Sequence, residues 1–182
     1  MKQDFNPDVV IKTERLVLRY LKESDRHAIF TNINNDREVL KYFLDNYLED
    51  ESLLNLEKRV KFCLENERYF FVIELKDTHE VIGMIFQCST PERYFNHSEI
   101  GYAIGRKYWN NGYATEALRA MINFIFSLGI NKVIVSHIVD NVSSKRVIEK
   151  CQMIYEGRRI ADVYYHEQYH DVDYYYLLNP HK

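Results

Sequence analysis

Apolar and polar residues alternate along Val9–Leu21 (VVIKTERLVLRYL), the two-residue period of a strand with one face buried, and the stretch is read as a first strand. Ser24 or Asp25 then stands where a helix N-cap belongs, ahead of a helix running to about Asn34. A second helix is expected from Asp50 to Asn66, with Asp50 as N-cap and Leu53, Leu56, Val60 and Leu64 returning at three- and four-residue steps. Three further strands follow at 69–75 (YFFVIEL), 81–88 (VIGMIFQC) and 98–104 (SEIGYAI). The first two are joined across Lys76-Asp77-Thr78-His79-Glu80, and together the three predict an antiparallel meander.

From Ala114 the period changes. Ala114, Ala117, Leu118, Met121, Ile122, Ile125 and Phe126 share one face of a helix, and Gly129 sits at its C′ position. The strand KVIVSHI (132–138), a shorter helix at about 143–151 and strands at 153–161 and 171–178 complete the pattern. Strand, helix, strand, helix after a meander implies a right-handed parallel crossover spliced onto an antiparallel sheet, an α+β architecture. No Gly/Ser linker, low-complexity block or repeat marks a boundary, so the 182 residues are read as a single domain, long enough to bury a substantial core.

Composition narrows the class. Hydrophobic residues make up 46% and aromatic residues 14%, which supports a packed fold over disorder. No run approaches the ~18 consecutive apolar residues of a membrane helix, and Met1-Lys2-Gln3-Asp4 lacks the apolar core of a secretion signal, so a cytoplasmic protein without a membrane partner is expected. Cys63, Cys88 and Cys151 are odd in number and far apart, which suggests neither a disulfide framework nor a zinc site; they are expected as reduced core thiols, with no metal. A net charge of −3 speaks against a general nucleic-acid binder and suits a cationic or neutral substrate.

One short stretch carries chemistry. YWNNGYATEAL (108–118) places Gly112 and the small residues Ala114 and Thr115 at a helix start, just after a strand ending near Ile104. Unpaired first-turn amides and the helix dipole favour an anion there, and short side chains let a phosphate approach the backbone. Gly112 also fits a plain turn. Neither Gly-x-Gly-x-x-Gly after an early strand nor a Gly-Lys-Ser/Thr loop is present, so neither a Rossmann dehydrogenase nor a P-loop kinase is indicated.

TERLVLRYL, SEIGYAIGRKYWNNGYATEAL and DNVSSKRVIEKC resemble, in order and spacing, the GNAT superfamily of acetyl-coenzyme A-dependent N-acetyltransferases, and most nearly its RimJ/RimL branch of ribosomal-protein N-terminal acetyltransferases. The resemblance spans about residue 10 to residue 178 and implies a mixed, mostly antiparallel central sheet of about seven strands flanked by about four helices. It implies acetyl-CoA as co-substrate, its pyrophosphate cradled by a Gln/Arg-x-x-Gly-x-Gly/Ala motif that maps onto Trp109, Asn110, Asn111, Gly112, Tyr113 and Ala114, with Ile104 and Thr115 adjoining. It further implies that Asn141 bonds the pantetheine arm and that Ser144 lies near the sulfur; both also fit as ordinary helix caps. Many members carry a tyrosine acid seven residues after the asparagine, where this chain has Ile148, so assistance to the leaving thiolate falls to Ser144 or a water it holds. Gln152-Met153 replaces the usual Gly-Phe, and glutamine in a left-handed cap costs on the order of 1 kcal/mol, so the helix is expected to end differently.

Glu99 is the candidate base, placed by the resemblance beside splayed central strands; it fits a solvated outward residue as well. A neutral amine attacks directly in a ternary complex, with main-chain N–H groups, one of them at a strand end, steadying the oxyanion. At pH 7 an α-amine is roughly a tenth neutral, whereas lysine needs roughly 4–5 kcal/mol to deprotonate, so a site without a strong base favours an N-terminal α-amine. The RimJ/RimL resemblance implies a ribosomal-protein N-terminus as acceptor, which this argument permits, for a monomer or homodimer; polyamines, sugars, antibiotics and a non-catalytic acetyl-CoA sensor remain alternatives. LDNYLEDE (44–51) reads either as a cation-recruiting run or as a solvated helix start. Tyr164, Tyr165 and His166 are placed in a hairpin near the substrate end, as pocket lining, an alternative base or half-buried strand aromatics, and His137 is read as a core residue.

Overall fold

Eight strands form one sheet in the computed structural model, which describes residues 5–43, 54–89 and 95–182. The alternation predicts one strand over Val9–Leu21, but two form: β1 (Val10–Lys12) and β2 (Leu16–Tyr20), paired antiparallel with Ile11 opposite Leu18. Thr13 turns the chain between them, its hydroxyl accepting from the Leu16 amide at 2.9 Å and its own amide donating to the Leu16 carbonyl at 3.0 Å. The fold-back leaves the apolar period intact on both sides, so the pattern hides it.

A short helix α1 (Arg26–Ile29) continues through a π-helical segment to Asn34, and α2 (Arg37–Leu40) follows. The expected Asp25 cap is not made. Its carboxylate instead accepts from the Lys22 amide at 2.7 Å and from the Arg19 guanidinium. Asp36 caps α2, accepting from the Glu38 amide at 3.0 Å. Helix α3 (Leu54–Glu65) occupies most of the second predicted helix; the Asp50 cap and the run 44–51 lie outside the described residues.

The meander appears as β3 (Phe70–Leu75), β4 (Val81–Gln87) and β5 (His97–Ile104), all antiparallel. Helix α4 (Tyr113–Ser127) ends at Gly129, whose φ of +80° provides the left-handed turn expected of it. Strand β6 (Lys132–Ile138) starts parallel to β5, and α5 (Val142–Lys150) follows. The predicted strands at 153–161 and 171–178 are longer than expected: β7 (Ile154–Tyr165) and β8 (Gln168–Leu178) run on to a tight turn at His166 and Glu167. Both turn residues have positive φ, 48° and 61°, without the Asn or Gly that announces such a hairpin in sequence. The sheet order is β1-β2-β3-β4-β5-β6-β8-β7.

Two buried layers hold the sheet. Leu118, Met121, Ile122 and Ile125 of α4 pack with Leu16, Leu18, Phe71, Ile85 and Ile100 on one face. On the other, Ile29, Ile33 and Cys63 pack with Phe70, Val72, Met84 and Phe86. None of the three cysteines forms a disulfide. No described helix is long and apolar enough to cross a membrane.

Candidate functional site

The central sheet opens where β5 and β6 part. Their parallel register runs only from His97 opposite Lys132 to Glu99 opposite Ile134, although β5 continues to Ile104 and β6 to Ile138. Each keeps its outer neighbour, β5 pairing with β4 up to Ile104 and β6 with β8 up to Ile138. The Glu99 carbonyl and the Gly105 amide bond toward β4, while the Asn96 carbonyl bonds toward β6. By the two-residue alternation, Tyr102 and Ile104 turn their backbone groups into the gap. The Ile104 carbonyl is taken by the Trp109 indole N–H at 2.6 Å, which pins the loop before α4 to the strand end.

Beside the gap lies the mouth of α4. Gly112, its N-cap residue, has φ +81°, and Asn110 has φ +62°. The Asn111 side chain is spent on the Tyr108 and Trp109 carbonyls at 3.2 and 3.0 Å, and the Asn111 carbonyl accepts from Arg15 at 3.0 Å. Arg15 also lies over the Tyr113 ring, 4.6 Å from its centroid, so Tyr113 braces the mouth from outside. No described group accepts a hydrogen bond from the amides of residues 110–115, which include those of Gly112, Ala114 and Thr115. Of these residues, all but Asn111 border a cavity of about 380 Å³ whose described lining includes Lys41, Arg146 and Lys150, with Glu38 as its one acid. Converging free amides, a surplus of cations and a side-chain-free Gly112 fit a diphosphate.

Asn141 and Ser144 sit at the start of α5. The Asn141 Oδ1 accepts from the Ser144 amide at 3.0 Å, so the capping reading holds for that oxygen, while no described group accepts from its Nδ2. The Ser144 hydroxyl lies 2.9 Å from that of Tyr102. Ile148 is fully buried in the core and presents no acid. After α5 the helix does take the left-handed ending that glycine favours: Gln152 has φ +59°, and the Met153 amide reaches the Ile148 carbonyl at 3.4 Å. The expectation of a different helix end is therefore corrected: the turn forms without glycine, closed by the Gln152 amide on the Glu149 carbonyl and flanked by the buried Cys151 and Met153.

A second cavity, of about 480 Å³, shares Tyr42, Phe43, Tyr102, Asn141 and Ser144 with the first and passes through the gap to the opposite face of the sheet. There the half-buried Glu99 accepts a hydrogen bond from the Ser136 hydroxyl at 2.7 Å. Tyr174, opposite Ser136 in the register, borders the same space. Its hydroxyl donates to Asp162 at 2.9 Å and is pushed up to about 12 by burial, by that hydrogen bond and by the charge of Glu99. Glu99 is thus a cavity residue rather than a solvated one. Among the described lining it is the one acid, the rest being largely aromatic and aliphatic.

The β7–β8 hairpin contributes Val163, Val172 and Tyr174, not the Tyr164, Tyr165 and His166 that the sequence suggests. Tyr164 is 63% exposed and packs on Tyr169 at the hairpin tip. His137 is buried against Tyr175, its Nδ1 at 2.7 Å from the Ile138 carbonyl, in keeping with a core role. Sequence reasoning missed Tyr102, Ser136 and Tyr174, since nothing local marks a strand residue whose partner lies on another element. Among the described residues, no group of His, Cys, Asp or Glu is arranged to hold a metal ion.

A family model described as Acetyltransferase (GNAT) domain matches residues 15–154. The chain is 28% identical over 173 residues to the N-acetyltransferase YoaA of Bacillus subtilis, covering 94% of this chain and 97% of the relative. Its fold matches that of a ribosomal-protein-S5-alanine acetyltransferase from Vibrio fischeri with a TM-score of 0.76 at 19% identity, covering 95% of this chain and 98% of that one. It also matches a spermidine N-acetyltransferase from Vibrio cholerae, solved with CoA and spermine, with a TM-score of 0.79 at 22% identity and coverage of 92% and 97%.

Proposed function

The chain belongs to the GNAT family of acetyl-CoA-dependent N-acetyltransferases, and from that premise we propose that it acetylates the α-amine at a protein or peptide N-terminus, by direct attack in a ternary complex. The observation that carries this reading is the pair of joined cavities, one bordered by free amides and cations, the other holding a single described acid, Glu99. Acetyl-CoA supplies an acetyl thioester, and the mouth of α4 would hold its diphosphate through Asn110, Asn111, Gly112, Tyr113, Ala114 and Thr115, with Trp109 and Ile104 fixing that mouth in place. The free Nδ2 of Asn141 is a donor for the amide groups of the pantetheine arm. Backbone N–H groups of Tyr102 and Ile104 in the gap are the main-chain donors for the oxyanion.

Glu99 takes the proton that the amine loses, directly or through water, and the hydrogen bond from Ser136 holds its carboxylate toward the cavity. Ser144 assists the sulfur. A single carboxylate suits an amine that is already partly neutral near pH 7, and lysine, at about 10.4, asks more of it. The described lining also argues against the polyamine reading that likeness to the spermidine enzyme suggests, because one acid offers a single counter-charge to a ligand with several ammonium groups.

Thiol release from acetyl-CoA, measured with N-terminal peptides, lysine-side-chain peptides, spermidine and amino sugars, tests the proposal. Fastest release with the peptides, together with a one-acetyl mass gain at their N-terminus, is expected. Preference for spermidine would replace the acceptor class, and binding without release on any acceptor would favour a sensor.

A further inference from the structure

We propose that Tyr102 is a positioning residue for Ser144: its hydroxyl donates to the serine Oγ and so leaves the serine's own proton directed at the coenzyme sulfur. The inference rests on the reading of Ser144 as the group that assists the sulfur. Tyr102 stands on β5 and Ser144 in the first turn of α5, 42 residues apart, and their hydroxyl oxygens are 2.9 Å from each other. Both residues border both cavities, at the gap where the two joined spaces meet.

A serine hydroxyl has one proton and two acceptor positions. In a helix that proton ordinarily turns back to a main-chain carbonyl of the preceding turn, or is given to whichever acceptor is nearest. If the nearby phenol donates, the serine lone pair is occupied and its proton is left for another acceptor. The phenol has one proton and two acceptors within reach, the Ser144 Oγ at 2.9 Å and the Ser144 carbonyl at 3.4 Å, and the shorter distance assigns that proton to Oγ. Burial, the largest influence on it, raises the Tyr102 hydroxyl above the ordinary tyrosine value, so the proton to be donated is present throughout the working range.

With Ile148 buried in the core, the described residues bordering the gap provide the Tyr102–Ser144 pair to meet the departing sulfur. The step balances without either hydroxyl ionising. The amine nitrogen bonds to the carbonyl carbon, the C–S bond breaks and its electron pair stays on sulfur. The proton shed by the amine, passed through Glu99 or solvent, ends on the thiol. Ser144 contributes a hydrogen bond to sulfur while charge is present, and Tyr102 keeps that bond aimed.

Bound coenzyme A, whose thiolate absorbs in the ultraviolet, reports this directly without turnover. In the unmodified protein the bound thiol is expected to ionise about one pH unit lower than in Tyr102→Phe or Ser144→Ala, and the double variant should match the single ones. In turnover, Tyr102→Phe should lower kcat about tenfold and leave KM for acetyl-CoA within about twofold. A Tyr102→Phe protein that titrates like the parent overturns the proposal while leaving Ser144 in place. Loss in Tyr102→Phe but not in Ser144→Ala overturns it too, because the phenol would then act on sulfur itself. Additive losses in the double variant also refute it. Absence of coenzyme binding by the parent would instead sink the acetyltransferase reading as a whole. If the phenylalanine variant does not fold, a fluorinated tyrosine at 102, a stronger donor, should lower the thiol value further, and no change would count against the idea.

Discussion

At Gly112 the backbone sits at φ +81°, and a Cβ built there would meet Arg15 Nη2 at 3.5 Å, an ordinary contact. Room is therefore available, and the cost of a side chain is backbone strain on the order of 1–2 kcal/mol plus the screening of the amides around it. Gly112→Val is expected to lower the unfolding free energy by about that amount and to raise the acetyl-CoA Kd at least about tenfold, read by denaturant titration and calorimetry. An unchanged Kd would remove the mouth of α4 from the coenzyme site. The place of Gly112 at the start of α4 was legible because a lone glycine before an apolar helix leaves a local mark. That of Ser136 was not. Its hydroxyl matters only because β6 lies beside β5 in a register that brings it to Glu99, 37 residues away in the chain.

Whole elements depend on contacts of two kinds. At the end of α5, Gln152 holds φ +59° without glycine's freedom, so Gln152→Gly is expected to add about 1 kcal/mol to stability, visible as a higher thermal midpoint. A lower midpoint would mean that the glutamine side chain makes up for the strain. Between β2, β3 and the segment before α1, Arg19 joins Asp25 at 2.7 Å and Glu74 at 2.6 Å, with side-chain exposures of 13, 6 and 10%. Burial works against both charged carboxyls, but hydrogen bonds outweigh it and hold both below their ordinary values, from Arg19 and the Lys22 amide at Asp25, and from His79 and Arg19 at Glu74. Because the folded values are depressed, this stabilisation is full above the ordinary carboxylate range of about pH 4 and is lost as pH falls through the folded values. The thermal midpoint should thus drop below about pH 4, and Asp25→Asn should flatten part of that drop. A midpoint with the same acid slope in the variant would refute the assignment.

For the molecule as a whole, the parting of β5 and β6 opens the centre of the sheet, and a ligand held there should bind the folded chain alone. Acetyl-CoA at about one hundred times its Kd is expected to stabilise the fold by ~2.7 kcal/mol, a rise in thermal midpoint of about 5–10 °C for a chain of this length. Gly112→Val should show a smaller rise at the same concentration. No rise in the parent protein would contradict the assigned gap.

The sequence by itself determined the run of strands and helices through the meander, α4, β6 and α5, the α+β class and the glycine at the mouth of α4, because each of these is written in periods and end signals a few residues long. It did not show the turn at Thr13, the reach of the β7–β8 hairpin or the true partner of Asp25. Only the tertiary structure decided that β5 and β6 separate after Glu99 and Ile134, that Glu99 meets Ser136 on one face of the sheet, and that Tyr102 meets Ser144 on the other. Strand order and register set those meetings, and a local pattern of hydrophobic residues records neither.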